Sequence, residues 1–494
     1  MKLFWACLIA LVATSFVFGV RSDLIGDWAR EFKLSEAEKG QILGVGLWPF
    51  ALSIIFFSFV IDRIGYKTAA FFAIACHLVA VTMTVFAKNK QWLYWGTFVV
   101  SLGNGTVEAF INPVVATVFR RQKAKWLNIL HAGWPAGIAL GVVFSLALGT
   151  LDWRVRFALC YIPVIIYTLM ILPRHFPVQE RVAAGVSYRD MLREVGAIGF
   201  FMVGFLVTMG VSQMFNLGLS FGACGIAAAV IAALAGAYTH TLGNPLFLVI
   251  LVTMGPLATT ELGTDTWMPD LLKSEVGKNS GLVLAYSAMI MTLLRSSAGP
   301  IVHKFSPIGL LVISAAVAIC GLLFLSQASG LWMIVLAATL YAFGKTFLWS
   351  TTLGMVSEQF PKGGALTLNG VSAVGVLGMG IMGSVAMGYF QDVKVGADIN
   401  AVPGLHQKVA GIEKETIFGK TPSVDPDRAA QLMGDDAREL NEIQNKHRKG
   451  SFLRVAALPA FMLACYLGIF FWFKSKGGYK PIVLGHPEEA ELGF

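Results

Sequence analysis

Stretches of about 20 predominantly apolar residues follow one another from Leu3 almost to the C-terminus, separated by short charged turns. A helix needs about 20 such residues to cross the hydrocarbon core of a bilayer, and inside lipid each segment must pair its own backbone N–H and C=O groups. The repetition therefore predicts an all-α, polytopic membrane protein rather than a soluble domain. Charge content agrees: 14% of residues are charged, against about a quarter in soluble proteins. The net charge of +9 is not a nucleic-acid footprint, because the basic residues cluster in the turns between spans; no nucleic-acid partner is expected. The six cysteines lie in apolar runs without C-x-x-C spacing and read as packing residues, so neither a metal nor a cofactor is expected.

Taken in order, the first span is expected over about Leu3 to Val20, an uncleaved helix rather than a signal peptide, because Arg21 follows at once without a small-x-small cleavage site. Residues 21–40 then read as a mixed-charge loop, with Ser35 as an N-cap and Glu38 in the capping-box position. Five more spans complete an N-terminal bundle over 1–173. A polar linker with Arg174, Arg181, Arg189 and Arg193 leads into two short, glycine-rich apolar segments, near 197–217 and 219–237, which suggest an inserted helical hairpin within 174–244. Six further spans occupy 245–473, interrupted by a segment of roughly 60 residues, 391–451, and followed by a tail over 474–494. The total is about 14 spans. Within 391–451, Pro426 to Lys446 has helix-forming composition behind an Asp425 cap, so a surface helix is expected there.

Basic residues sort the turns. With the N-terminus inside, Arg63/Lys67, Arg120/Arg121/Lys123/Lys125, the arginine linker, Lys304, Lys362 and Lys474/Lys476/Lys480 all fall in the cytoplasm, as the positive-inside rule asks. Both termini are then cytoplasmic, in an inner or plasma membrane. The 391–451 segment falls outside although it ends in Lys446-His447-Arg448-Lys449; long loops obey the rule poorly.

Charges inside the spans are the functional candidates, since a carboxylate at membrane depth costs about 2.5–3.5 kcal/mol even on insertion scales. Glu108 is the clearest. Asn112 lies one turn on, and Asn128, His131 and Trp134 follow the next basic turn. A buried carboxylic acid suits proton exchange, a histidine titrates near neutrality, asparagines bind hydroxyls and an indole offers a flat apolar face. Pro113 and Pro135 read as helix bends. In the second half, Glu261 and Asp265 lie four apart on one helix face near an outer membrane end, where they line an entrance or face water. Lys345 sits within a span and either pairs across a central cavity or snorkels. Arg295 is expected near a cytoplasmic end as a gate residue or lipid anchor. Arg21 is read as interfacial. The glycine-rich run Gly375–Gly388 suits close helix packing.

Two six-span halves, with the turn Asp62-Arg63-Ile64-Gly65-Tyr66-Lys67 after the second span and a weaker echo (RSSAGPIVHKFSPIG) in the later half, resemble the major facilitator superfamily (MFS). The resemblance implies the fold of two six-helix bundles around a midplane site and a gating role for Asp62, Arg63, Gly65 and Lys67. Within that superfamily the stretch Glu108-Ala109-Phe110-Ile111-Asn112-Pro113, then Trp126-Leu127-Asn128 and on to Gly137, is similar to the fucose–galactose–glucose:proton symporters. It implies a proton- and sugar-coupling carboxylate at Glu108. His131 and Trp134 depart from the family's glutamine and asparagine, and Asp23, the approximate counterpart of a first-helix carboxylate, falls after the expected helix end. The reading is a secondary transporter, expected to be monomeric, moving a small polar solute with protons. A sugar is favoured; a nucleoside, organic anion or drug, antiport, and a non-transporting sensor are the alternatives. An enzyme is not expected, since no HExxH, GxSxG or Cys/His cluster occurs.

Overall fold

The computed structural model describes residues 1–485 apart from Ser35, Asn216, 273–274, 276–279, Ile412, Ile417 and Ser423. The Ser35 cap lies outside these residues. Among the described residues, thirteen helices are long and apolar enough to cross a membrane, and a bent pair makes the fourteenth. In chain order they are α1 Lys2–Phe32, α2 Gln41–Ile64, α3 Tyr66–Val85, α4 Lys90–Val118, α5 Lys123–Ala147 and α6 Trp153–Ile171; α7 Tyr188–Met214 and α8 Phe221–Thr239; then α9 Pro245–Thr266, α10 Gly281–Ser296 with Ala298–Phe305, α11 Pro307–Gln327, α12 Leu331–Gln359, α13 Pro361–Ala401 and α14 Gly434–Ser475. The protein is thus all-α in its membrane part: two bundles of six with a hairpin inserted between them.

Three boundaries differ from expectation. Helix α1 does not stop at Val20 but runs to Phe32, because its charges have partners: Arg156 of α6 ion-pairs with both Asp23 and Asp27, the second at 2.8 Å. Asp23 is therefore a helical residue. The hairpin is longer than the apolar pattern suggested, since α7 begins at Tyr188 in the polar linker and turns through Gly196, whose φ of +58° favours glycine. In 391–451, the expected single helix is two, Pro426–Gln431 and the start of α14, parted at Gly434 with φ +64°. The Asp425 cap is present, accepting from Arg428 N at 3.1 Å. A small antiparallel hairpin, Lys414–Thr416 with Gly419–Thr421, was not foreseen.

Small residues let helices meet closely where lipid supplies no hydrophobic drive. On α1 and α5, a Cβ on Gly137 would come within 2.0 Å of Ser15 Oγ and one on Gly19 within 2.5 Å of Ile138 O. The halves meet where α2 and α4 pack on α13, and where α5 packs on α10 and α12. Helix α7 packs on α9 and α13, whereas α8 packs chiefly on α7 and leaves most of its surface uncovered. The start of α1 and the segment after α14 lie on one face: Phe4 packs on Phe119 and Trp126 of the α4–α5 turn, and Tyr479–Leu484 reach the end of α12 and the linker. This is the terminal face.

A candidate transport site between the two halves

Proline shapes the centre of the molecule. A proline has no N–H for the carbonyl four residues back and crowds it. Pro113 therefore leaves the carbonyl of Ala109 without its helical donor, and Pro135 leaves that of His131 with only a long 3.4 Å bond from Trp134 N; α5 breaks at this point into Lys123–Leu130 and Gly133–Ala147. The C-terminal half takes both. Asn369 of α13 donates to Ala109 O at 3.0 Å, and Arg295 of α10 donates to His131 O at 3.1 Å.

A continuous polar chain runs through these contacts. Asn112 Nδ2 donates to Glu108 Oε2 at 2.7 Å, and its Oδ1 lies 2.9 Å from His131 Nε2. Across the interface Arg295 donates to Glu261 Oε1 at 2.6 Å and to Thr346 O at 2.6 Å, while Glu261 Oε2 accepts from Trp349 N at 3.1 Å. The residue before Thr346, Lys345, ion-pairs with Asp265 and lies 5.2 Å from the Tyr341 ring centroid. A π-helical turn over Thr259–Gly263 aims Glu261 into the interior. Glu108, Asn112, His131, Glu261, Arg295 and Lys345 are all buried.

The structure corrects several sequence expectations here. Arg295 is not a lipid anchor: α10 bends by 68° after Ser296, and Arg295, 1% exposed, lies beside the break inside the molecule. Glu261 does not line an entrance or face water; it is sealed against Arg295. Lys345 pairs inward and does not snorkel. The amide of Asn128 is taken up by the other half, accepting from Ser350 Oγ at 2.6 Å and donating to Thr351 Oγ1 at 3.2 Å. Trp134 stands apart from the polar chain, beside Phe18 at 5.6 Å and Phe50 at 6.4 Å.

Arg21, read as interfacial, is instead 5% exposed inside α1. Its guanidinium lies 4.7 Å from the centroid of the same Phe18 ring and against Gly46, where a Cβ would come within 2.6 Å of it. No acid or hydrogen-bond acceptor pairs with it among the described residues. Its signal in the sequence was masked by the early helix end, which made it a flank of the span rather than part of it.

The terminal face is closed by a second network that crosses the halves. Asp62 ion-pairs with Arg181 of the linker, and the Gln179 amide, oriented to satisfy both neighbours, donates to Asp62 at 3.1 Å and accepts from Ala365 N of α13 at 2.7 Å. Lys123 of α5 donates to Glu180 at 2.6 Å and to Ser357 O of α12 at 3.1 Å, and Glu358 accepts from Ala124 N at 3.0 Å. The tail overlies this: Tyr479 Oη donates to Glu358 at 2.7 Å, Ile482 N to Glu358 O at 2.8 Å, and Gln359 to Lys480 O at 2.9 Å. Of the predicted gate residues, Asp62 is in this network. Arg63 lies 5.1 Å from the Tyr188 ring, Lys67 donates to Leu172 O at 3.2 Å, and Gly65 turns the chain at φ +81°; none of these three reaches the C-terminal half.

Comparison with known families agrees with this architecture: the model of the Major Facilitator Superfamily matches residues 3–388, more than three quarters of the chain. The chain belongs to the Major Facilitator Superfamily. It is similar to the niacin transporter NiaP of Acinetobacter baylyi, 25% identical over 163 residues, 33% of this chain and 36% of that one. It is also similar to the cis,cis-muconate transport protein of the same organism, 24% identical over 273 residues, 53% of this chain and 56% of that one. The matches thus span about a third to just over half of these relatives' lengths. Among solved structures, the MFS transporter FucP in its outward conformation aligns with a TM-score of 0.59 at 12% identity, covering 93% of this chain and 98% of that one. That likeness speaks for the fold alone.

Proposed function

We propose that this transporter moves a small organic carboxylate by alternating access, coupled to protons through Glu108. The observation that carries the solute class is Arg21. A buried guanidinium without an anion is costly, and this one shares the Phe18 ring with the Trp134 indole. The pair suits a carboxylate on a flat, unsaturated body: a charge-assisted bond at one end and ring contact at the other. The names of the relatives, transporters of niacin and of muconate, support an organic acid over the sugar expected from the Glu108 stretch. In that stretch, too, the sugar-type asparagine Asn128 is occupied between the halves.

Proton coupling rests on a contrast between carboxylates. Glu261 faces Arg295 and Asp265 faces Lys345, whereas among the described residues Glu108 has only the Asn112 amide. A carboxyl group so placed is tolerated at membrane depth in its neutral form and releases its proton when one side opens to water. Asn112 and His131 link it to the interface, so occupancy of Glu108 bears on the contacts that must break when the halves rock.

The test is proton movement in proteoliposomes holding a pH-sensitive dye, challenged with nicotinate, muconate, benzoate and a hexose. Carboxylate-dependent proton flux is expected, lost in Glu108→Gln. In Arg21→Gln the apparent affinity falls about tenfold or more, the scale of one lost hydrogen bond between charged groups. Flux with the hexose alone would reject the solute class and keep the coupling. Equal flux in Glu108→Gln would reject the coupling residue.

A further inference from the structure

The inserted hairpin forms one wall of a cavity of about 510 Å³ that is separate from the polar chain between the halves. Its lining is apolar: Phe201 and Phe205 of α7, Leu251 of α9, Met382 and Phe390 of α13, and Leu458 of α14. Phe201, Met382 and Phe390 are exposed, so the groove opens to the outside of the helices, on apolar side chains that suit lipid. At one end lies Arg454. It stands near the start of the apolar stretch of α14, between Phe452-Leu453 and Val455-Ala456, where a charge at the end of a span is expected at headgroup depth.

Arg454 is the basic residue of its neighbourhood left without an acid. Lys446 and His447 both bind Asp398, and Lys449 binds Glu275 at 2.5 Å. Arg454 makes one long contact, Nη2 to His447 Nδ1 at 3.5 Å, and its Nη1 is buried with no partner. A buried, unanswered guanidinium donor costs free energy until an anion meets it. The geometry points to an anionic phospholipid in this groove, one acyl chain lying between α7 and α14 and the phosphate on Arg454. A soluble anion satisfies the arginine and leaves the apolar groove unfilled; a neutral lipid does the reverse. The hairpin then has a function of its own, building a lipid site on the flank of the C-terminal bundle, and this inference stands whether or not the solute is a carboxylate.

Native mass spectrometry of the full-length, delipidated protein tests it, by titration with phosphatidylglycerol or phosphatidylcholine of identical chains. The wild type should retain one phosphatidylglycerol about tenfold more tightly than phosphatidylcholine. Arg454→Gln should abolish the preference, Arg454→Lys should keep most of it, and Ala386→Phe, which adds bulk to the groove wall and leaves the arginine in place, should lower phosphatidylglycerol binding. Equal retention of the two lipids by the wild type overturns the inference. So does an unchanged preference in Arg454→Gln, or wild-type binding in a monodisperse Ala386→Phe protein.

Discussion

Glu108, Glu261 and Asp265 bring three carboxylates to membrane depth, and only the latter two have cations against them. This distribution separates residues that hold the interior together from one free to change protonation. Arg295 belongs to the first kind, binding Glu261, Thr346 O and His131 O at once. Arg295→Met leaves Glu261 buried and unpaired, so about 3–5 kcal/mol of stability should be lost, and pairing it with Glu261→Gln should restore most of that; thermal unfolding in detergent reads both. The candidate residues Glu108, Asn112, His131, Glu261 and Lys345 were legible in the sequence because polar groups in apolar runs are costly. Their partners were not, because spacing along a helix does not say which half a side chain will meet. Pro113 and Pro135 illustrate this: they were read as bends, and the carbonyls four residues before them are used by Asn369 and Arg295, more than 150 residues away in the chain. Arg21 was missed for a different reason, since the salt bridges that carry α1 past Val20 are made by Arg156 on another helix.

At the scale of elements, the closed terminal face depends on the linker and tail as much as on helix contacts. Asp62 and Arg181 are both buried on their side chains, and the linker residues Gln179 and Glu180 then reach α13 and α5. Arg181→Gln should unlatch α2 from the linker and shift the population toward a state open on this face. With native cysteines replaced, a cysteine at Ser357, which is 7% exposed here, should react with an impermeant maleimide several-fold faster in that variant; an unchanged rate would remove Arg181 from the gate. The Asp62 motif marked this place in the sequence, but its partner was out of reach. The linker's arginines look alike by composition, and only folding picks Arg181. The inserted hairpin was visible as two apolar runs, whereas the start of α7 was not, because its first turn is polar and lies beyond the apolar stretch.

Across the whole molecule, α13 and α14 are far longer than a bilayer requires: 41 and 42 residues, about 60 Å each at 1.5 Å per residue, against a core of about 30 Å. Their outer ends and the short helices between them share a core of Val395, Ile399, Leu405, Val409, Leu440 and Ile443. On this part of α13, hydrogen bonds from Lys446 and then His447 hold the Asp398 carboxyl below the usual aspartate range. A folded-state value depressed in this way contributes stability above the unfolded value of about 3.9 and loses it as pH falls further. Hydrogen exchange in 391–451 should therefore be flat from pH 8 to 5 once corrected for intrinsic rates, and protection should fall below about pH 4. Asp398→Asn should lower protection already at pH 7 and flatten the acid response. Because two continuous helices carry this small folded unit out of the membrane together, it is a rigid handle on the C-terminal bundle. In a detergent micelle that hides nearly everything else, it is the natural landmark for particle alignment, and its tilt against the bilayer plane would read out directly how far that bundle has rocked.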